Sequence, residues 1–189
     1  MSRMQFDTEL LDRAIRFAVE CHAGTERRGK GFPYIVHPME AMAIVATMSA
    51  DQEILAAAAL HDVVEDTDVT REDLRSLFGD RIAKLVDSES DRLDLGLDWR
   101  ARKEDSLKRL KEASRDEKIV ALGDKLSNMR AIARDYTSEG EVFWDRFHIK
   151  EKSVHGWRYH ALLDALSDLS DTYAFQEFEF LVNRIFPLD

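Results

Sequence analysis

The run HDVVED, residues 61–66, carries the side chains best suited to chemistry. On a helix, His61 precedes Glu65 by four residues and Asp62 precedes Asp66 by four, so each pair shares one face. A neutral imidazole beside a carboxylate is a good ligand pair for Mn²⁺, Fe²⁺ or Zn²⁺, and neighbouring carboxylates can orient and deprotonate a water. The run predicts a metal-dependent hydrolytic site; the alternative is a helix end whose acids are simply solvated.

Two distant segments offer further candidate ligands. His37 lies in the sequence PYIVHP, immediately before a proline that is tolerated at a helix start. Asp124 lies within EKIVALGDKLSNMR, beside an apolar helical stripe, where a polar side chain needs a partner. The alternatives are a surface histidine at a helix start and an aspartate paired with Lys125 or Arg130.

The elements that must position these residues are helices, because almost every segment has helical rather than alternating periodicity. We predict helices over residues 7–23, 39–49, 52–66, 70–79, 80–86, 117–136, 144–169 and 172–186. The expected capping groups are Asp51, Thr70 with Asp73, Asp80 and Asp116. The charged segment 87–102 breaks the pattern and predicts a mobile loop. The whole chain is therefore expected to form one all-α domain.

Composition limits the classes of partner. The chain has 189 residues with 37 acidic and 27 basic side chains, a formal net charge of -10. An acidic surface argues against general binding to nucleic acid or to an anionic membrane. The single cysteine, Cys21, excludes an internal disulfide, and the sequence shows neither a signal peptide nor a membrane-spanning stretch. We expect a cytoplasmic protein.

Taken together, the motifs resemble those of the HD superfamily of metal-dependent phosphohydrolases. In chain order they are H-x4-RR, PYIVHP, AAALHDVVEDT, FGDRIAKLV and GDKLSNMR, spread over about residues 14–133. Within the superfamily they are most similar to the RelA/SpoT hydrolase-domain branch and its stand-alone, Mesh1-type small alarmone hydrolases. The resemblance implies a single HD-type helical bundle over residues 1–189, with a helical C-terminal part at 141–187.

The same resemblance implies an activity and a set of site residues. The activity is removal of the 3′-pyrophosphate from guanosine tetra- or pentaphosphate (ppGpp or pppGpp) by a metal-activated water, with one divalent ion, usually Mn²⁺. The implied metal ligands are His37, His61, Asp62 and Asp124. The implied catalytic acids are Glu65 and Asp66, and the implied substrate-binding residues are Arg27, Arg28, Tyr34 and Asn128. Arg28 stands where the family usually has lysine, and Gly123 stands where alanine is common, which we expect only to weaken its helix slightly.

The segment 141–160 has two interpretations. Its side chains either complete the substrate pocket or pack as core aromatics and solvated lysines; they are Trp144, Phe147, Lys150, Lys152, His155, Trp157 and Tyr159. We expect His22, His148 and His160 to be structural or superficial.

The sequence leaves alternatives to the leading function, a hydrolase that acts alone on a phosphorylated guanine nucleotide. An HD-family enzyme for another phosphorylated nucleotide or cofactor is the nearest one. A non-catalytic nucleotide-binding module is disfavoured, because all six acidic and histidine positions of the motifs are present. The sequence does not indicate an oligomeric state.

Overall fold

The protein is an all-α helical bundle, as predicted. The computed structural model describes residues 7–27, 29–90, 96 and 98–188. Within these ranges, extended pairing is confined to one isolated antiparallel bridge between Glu26 and Pro33. In the same ranges, no helix combines the length and the apolar composition needed to cross a membrane.

The N-terminal half contains six helices among the described residues. Their bounds are α1 Glu9–Cys21, α2 Val36–Val45, α3 Gln52–Leu60, α4 Val63–Asp66, α5 Arg71–Phe78 and α6 Asp80–Glu89. Asp51 caps α3, and a capping box of Thr70 and Asp73 starts α5, both as predicted. Asp80 is the first residue of α6 rather than its cap, because Gly79 occupies that place. The predicted continuous helix over 52–66 is wrong, since it breaks between α3 and α4.

The C-terminal half is organised around one long helix. Its elements are α7 Trp99–Glu112, α8 Arg115–Glu139, a 3₁₀ turn Gly140–Arg146, α9 Lys152–Ala165, a 3₁₀ turn Ser167–Leu169 and α10 Tyr173–Ile185. A capping box of Ser114 and Glu117 starts α8, so Asp116 is not its cap. The loop predicted over 87–102 is wrong at both ends, because α6 extends to Glu89 and α7 begins at Trp99. Part of it, residues 91–95 and 97, lies outside the described residues.

Helix α8 packs against α2, α3, α6 and α10 at the centre of the bundle. Its predicted apolar stripe is buried: Ile119, Leu122, Leu126, Met129 and Ala133. At Gly123 the backbone of α2 comes so close that an added Cβ would lie 2.6 Å from Val45 Cγ2 and 2.9 Å from the Ala41 carbonyl oxygen. Gly123 therefore permits the close approach of α8 to α2, which is more than the slight helix weakening that we expected.

Candidate metal centre

Four predicted ligands meet where α2, the end of α3 and α8 converge. Nε2 of His37 lies 3.3 Å from Nε2 of His61 and 3.1 Å from Oδ1 of Asp124. Nε2 of His61 lies 3.0 Å from Oδ2 of Asp62 and 3.5 Å from Oδ1 of Asp124. The ligand atoms of His37, His61 and Asp62 all lie within 4.8 Å of one another. Residues far apart in sequence thus present two nitrogens and two oxygens to one point.

The break after α3 shapes this cluster. Nδ1 of His61 donates to the Ala58 carbonyl oxygen at 2.8 Å, which takes up the acceptor that a continuing helix would offer to the N–H of Asp62. Asp62 lies just past this break, with its carboxylate 3.0 Å from Nε2 of His61. The predicted sharing of one helical face by His61 and Glu65 does not apply across the break.

The tautomer of His61 suits a metal ligand. A carbonyl oxygen only accepts, so Nδ1 of His61 carries a hydrogen, and Nε2 is the ring atom left to bind a metal. The Nδ1 atom of His37 is also engaged, at 2.8 Å from Ser127 Oγ. Two nitrogens that face each other and two carboxylates form the donor set that a divalent cation requires, so these residues fit a metal ion.

The electrostatics of the cluster favour an added positive charge. Burial lowers the pKa of His61, but Asp62 and Asp124 outweigh burial and raise it well above its ordinary value. Burial raises the pKa of Asp124, yet the adjacent Lys125 and the two histidines hold it well below the usual range. Burial likewise raises the pKa of Asp62, but His61 and His37 hold it below the usual range. Both carboxylates therefore remain ionised, and they attract a cation to the point between them.

Three of the predicted substrate residues surround the ligands. The Tyr34 hydroxyl donates to Oδ2 of Asp62 at 2.6 Å. Asn128 Nδ2 donates to Oδ1 of Asp124 at 2.5 Å, and its own Oδ1 accepts from Arg27 Nη2 at 2.6 Å. Tyr34 and Asn128 thus bond to ligands directly, and Arg27 is linked to them through Asn128; all three also line the cavities described below.

The loop between α1 and α2 holds Arg27 and Tyr34 in place. The Tyr34 N–H donates to the Thr25 carbonyl oxygen at 2.8 Å. Between Thr25 and Tyr34, Gly29 and Gly31 take positive φ angles of 67° and 70°, a conformation that glycine adopts without strain. Arg28, the second predicted arginine, lies outside the described residues.

A polar cavity of about 200 Å³ lies over the ligands. Glu65 lines it, whereas Asp66 is exposed and helps to raise the pKa of Tyr34. Residues that the sequence did not identify also line it: Glu89, Lys103, Ser106, Lys125 and Arg158. Of these residues, Lys125 could have been identified from the sequence, because it directly follows a predicted ligand. The others come from α6, α7 and α9 and meet only in the folded chain.

A second cavity of about 730 Å³ opens beside the first. The two share Arg27, Tyr34, Lys125, Asn128 and Arg158. The C-terminal part of the chain supplies much of its wall, including Phe143, Arg146, Phe147, His148, His155 and Tyr159.

Both interpretations of segment 141–160 therefore apply to part of it. Phe147, His155 and Tyr159 line the larger cavity. Trp144 is buried, and Trp157 stacks under Arg100, whose guanidinium carbon lies 3.4 Å from the ring centroid. The lysines contact neither cavity: Lys150 pairs with Asp145, and Lys152 donates to the Tyr136 hydroxyl.

The remaining histidines divide in the same way. His148, expected to be structural or superficial, is a wall residue of the larger cavity. His160 bonds to the Phe186 carbonyl oxygen at 2.7 Å, and His22 is buried against the ring of Tyr34.

Comparisons with known proteins agree with this architecture. Residues 14–145 match a family model described as the HD domain. The guanosine-3′,5′-bis(diphosphate) 3′-pyrophosphohydrolase MESH1 of Danio rerio is 35% identical over 147 residues, which cover 76% of this chain and 78% of the relative. A solved metazoan ortholog of SpoT that hydrolyses ppGpp superposes with a TM-score of 0.75 at 25% identity, covering 96% of both chains.

Other relatives are much longer. The GTP pyrophosphokinase rsh of Brucella ovis is 39% identical over 127 residues, 65% of this chain. The match spans only 17% of the length of that relative.

Proposed function

This chain belongs to the HD domain family, and we propose that it is a metal-dependent hydrolase that removes the 3′-pyrophosphate from guanosine tetra- or pentaphosphate. The observation that carries this proposal is the convergence of His37, His61, Asp62 and Asp124 under a cleft with cationic walls. The name of the Danio rerio relative, most of whose length this chain spans, supports the choice of substrate.

We assign His37, His61, Asp62 and Asp124 as the ligands of one divalent ion, for which we propose Mn²⁺. The set mixes imidazole nitrogens and carboxylate oxygens, a combination that suits first-row divalent metals. When bound, the ion supplies Lewis-acid activation of a water and of the scissile phosphate.

Glu65 is the group that we assign to accept the proton of the attacking water. It lines the same cavity as the ligands and is exposed to it. Asp66, next along the chain, is assigned to relay that proton to solvent. Attack at the phosphorus bonded to the 3′-oxygen breaks that P–O bond and releases pyrophosphate, while the leaving 3′-oxygen takes up a proton from solvent. The other product is guanosine 5′-diphosphate from ppGpp, or GTP from pppGpp.

Cationic side chains hold the pyrophosphate in this proposal. Arg27, Lys125 and Arg158 line both cavities, so they lie between the cluster and the larger cavity. Guanidinium groups bind phosphate oxygens through paired, charge-assisted hydrogen bonds. Arg28, adjacent in sequence to Arg27, is proposed to add a further contact.

The nucleoside is proposed to occupy the larger cavity. Its volume of about 730 Å³ lies within the usual range of small-molecule sites, and aromatic rings such as those of Phe147 and Tyr159 provide surfaces on which a base stacks. Because α8 and the C-terminal segment both contribute walls, we propose that residues 1–189 act as a single domain.

The overall charge and cysteine content support two further assignments. A net charge of -10 favours a small nucleotide bound by local cations over nucleic acid or a membrane surface as the partner. The lone Cys21 is the basis for proposing a cytoplasmic location.

A substrate panel tests the proposal. Purified protein with Mn²⁺ is given ppGpp, GTP, NADPH and nucleoside 3′-phosphates in parallel, with and without chelator. We expect chelator-sensitive turnover of ppGpp above that of the other compounds, lost in Glu65→Gln and retained in Glu72→Gln. Glu72 is a matched control because it is an exposed acid that pairs with Arg75. Turnover of another compound in place of ppGpp would contradict the substrate assignment.

A further inference from the structure

A chain of hydrogen bonds runs from the ligand cluster to the C-terminal helix. Nδ1 of His37 lies 2.8 Å from Oγ of Ser127, which lies 2.8 Å from Oε2 of Glu40. Arg130 donates to Oε1 of Glu40 at 3.2 Å and forms two 2.7 Å bonds with the carboxylate of Glu177 on α10. The side chains come from α2, α8 and α10, so the packing of these three helices holds the hydrogen-bonded residues in place.

The direction of each bond follows from the groups involved. A carboxylate paired with a guanidinium only accepts, so the hydroxyl hydrogen of Ser127 points to Glu40. The oxygen of Ser127 is then free to accept, and Nδ1 of His37 must carry the hydrogen. Nε2 of His37 is consequently the ring atom left to bind a metal, as it is in His61, whose Nδ1 donates to a backbone carbonyl.

We infer that Ser127 and Glu40 are positioning residues for the metal centre: they fix the tautomer and the ring orientation of His37. The inference rests on the metal site of the proposed function. His37 and Ser127 are only 4% and 2% exposed, which leaves little room for water to replace the serine hydroxyl. Partners of this kind raise the basicity of a histidine ligand and hold it in register with the metal.

The two residues act in series, and this makes the inference testable. Among the hydrogen bonds of the described residues, the link from Glu40 to His37 runs through the hydroxyl of Ser127. Loss of Ser127 therefore removes the influence of Glu40 as well, whereas two independent packing contacts would contribute additively.

The experiment measures the dissociation constant of Mn²⁺ by calorimetry for the full chain and for Ser127→Ala, Glu40→Gln and the double variant. We expect Ser127→Ala to weaken binding about 10- to 100-fold, Glu40→Gln to weaken it less, and the double variant to match Ser127→Ala. The control is Ser138→Ala on the same helix, whose hydroxyl bonds to the Asp135 carbonyl oxygen; it should keep wild-type affinity.

Unchanged Mn²⁺ affinity in Ser127→Ala, or additive losses in the double variant, would overturn the inference. If Ser127→Ala fails to fold, Glu40→Gln carries the test, because Glu40 is half-buried and its amide analogue has the same shape. A wild-type chain that binds no Mn²⁺ would overturn the proposed metal site as well. This result differs from equal Mn²⁺ affinity in wild type and variants, which would overturn only the inference about Ser127 and Glu40.

Discussion

The hydroxyl of Tyr34 donates a 2.6 Å hydrogen bond to Oδ2 of Asp62, the same oxygen that lies 3.0 Å from Nε2 of His61. Burial, followed by the charge of Asp62, raises the pKa of Tyr34, so the phenol remains a donor throughout the physiological range. Tyr34 thus orients one proposed ligand from the loop, while Asn128 orients another from α8.

Tyr34→Phe tests this orientation. The variant keeps the ring and loses only the donor, so we expect Mn²⁺ to bind about 10-fold more weakly, as for other partners of metal ligands. Calorimetric titration with Mn²⁺ measures the change. Tyr136→Phe serves as the control, because its hydroxyl bonds to Glu141 and Lys152 instead. Equal affinity of Tyr34→Phe and wild type would show that Asp62 needs no such support.

Asp62→Ala should abolish metal binding and turnover together. The substitution removes one of two carboxylates from the donor set and leaves His61 without its 3.0 Å neighbour. Metal content after dialysis, measured beside the rate of ppGpp hydrolysis, checks both losses. Activity at the wild-type level would refute the assignment of Asp62 as a ligand.

Glu65→Ala should slow turnover without weakening metal binding. Glu65 lines the cavity but is assigned to proton transfer, so the variant should bind Mn²⁺ normally while kcat falls about 10²-fold or more, the usual scale for such groups. Single-turnover kinetics at saturating Mn²⁺ separates the two effects. If the variant loses the metal instead, Glu65 is a ligand and the division of roles is wrong.

Gly123→Ala tests the close approach of α8 to α2. Alanine at an exposed helix interior would stabilise by about 1 kcal/mol relative to glycine. Here the new Cβ meets Val45 and the Ala41 carbonyl oxygen, and overpacking of this kind costs about 1–3 kcal/mol. We therefore expect a lower free energy of unfolding in urea, with weaker Mn²⁺ binding because Asp124 is displaced from His37. A stabilised variant would show that the two helices can separate without cost.

Periodicity and capping rules predicted most of the fold. The stripe from Ile119 to Ala133 and the capping box at Thr70 follow from local sequence alone. Helix α7 was missed because Leu107 is its only fully buried residue, so the segment lacks a strong apolar stripe. The break at His61 was missed because no glycine or proline marks it; the His61 side chain bonds there to the Ala58 carbonyl oxygen.

The candidate site was predictable only where the motifs lie in sequence. His37, His61, Asp62 and Asp124 belong to recognisable runs, and the structure brings them together. Arg158 carries no local signal, because its place in the cleft depends on how α9 packs.

The pH dependence of stability should reflect His155. Burial, assisted by Arg158, holds the pKa of His155 below its ordinary value of 6.5, although the Ile149 carbonyl and Glu151 act in the opposite direction. Below pH 6.5 the unfolded chain therefore takes up a proton that the folded chain resists, and the free energy of unfolding falls as the pH falls. His155→Gln keeps an N–H donor for Ile149 and should lose less stability between about pH 7.5 and 5.5, a window around the ordinary histidine pKa. Urea midpoints at the two pH values give the comparison; an equal loss in both proteins would exclude His155 as a source.

Identifying the products formed from ppGpp tests the proposed activity most directly. Purified protein is incubated with ppGpp and Mn²⁺, and nucleotides and inorganic products are separated by ion exchange. We expect guanosine 5′-diphosphate and pyrophosphate in equal amounts, with their formation abolished by chelator and restored by added Mn²⁺. Absence of turnover, release of orthophosphate in place of pyrophosphate, or turnover that survives the chelator would contradict it.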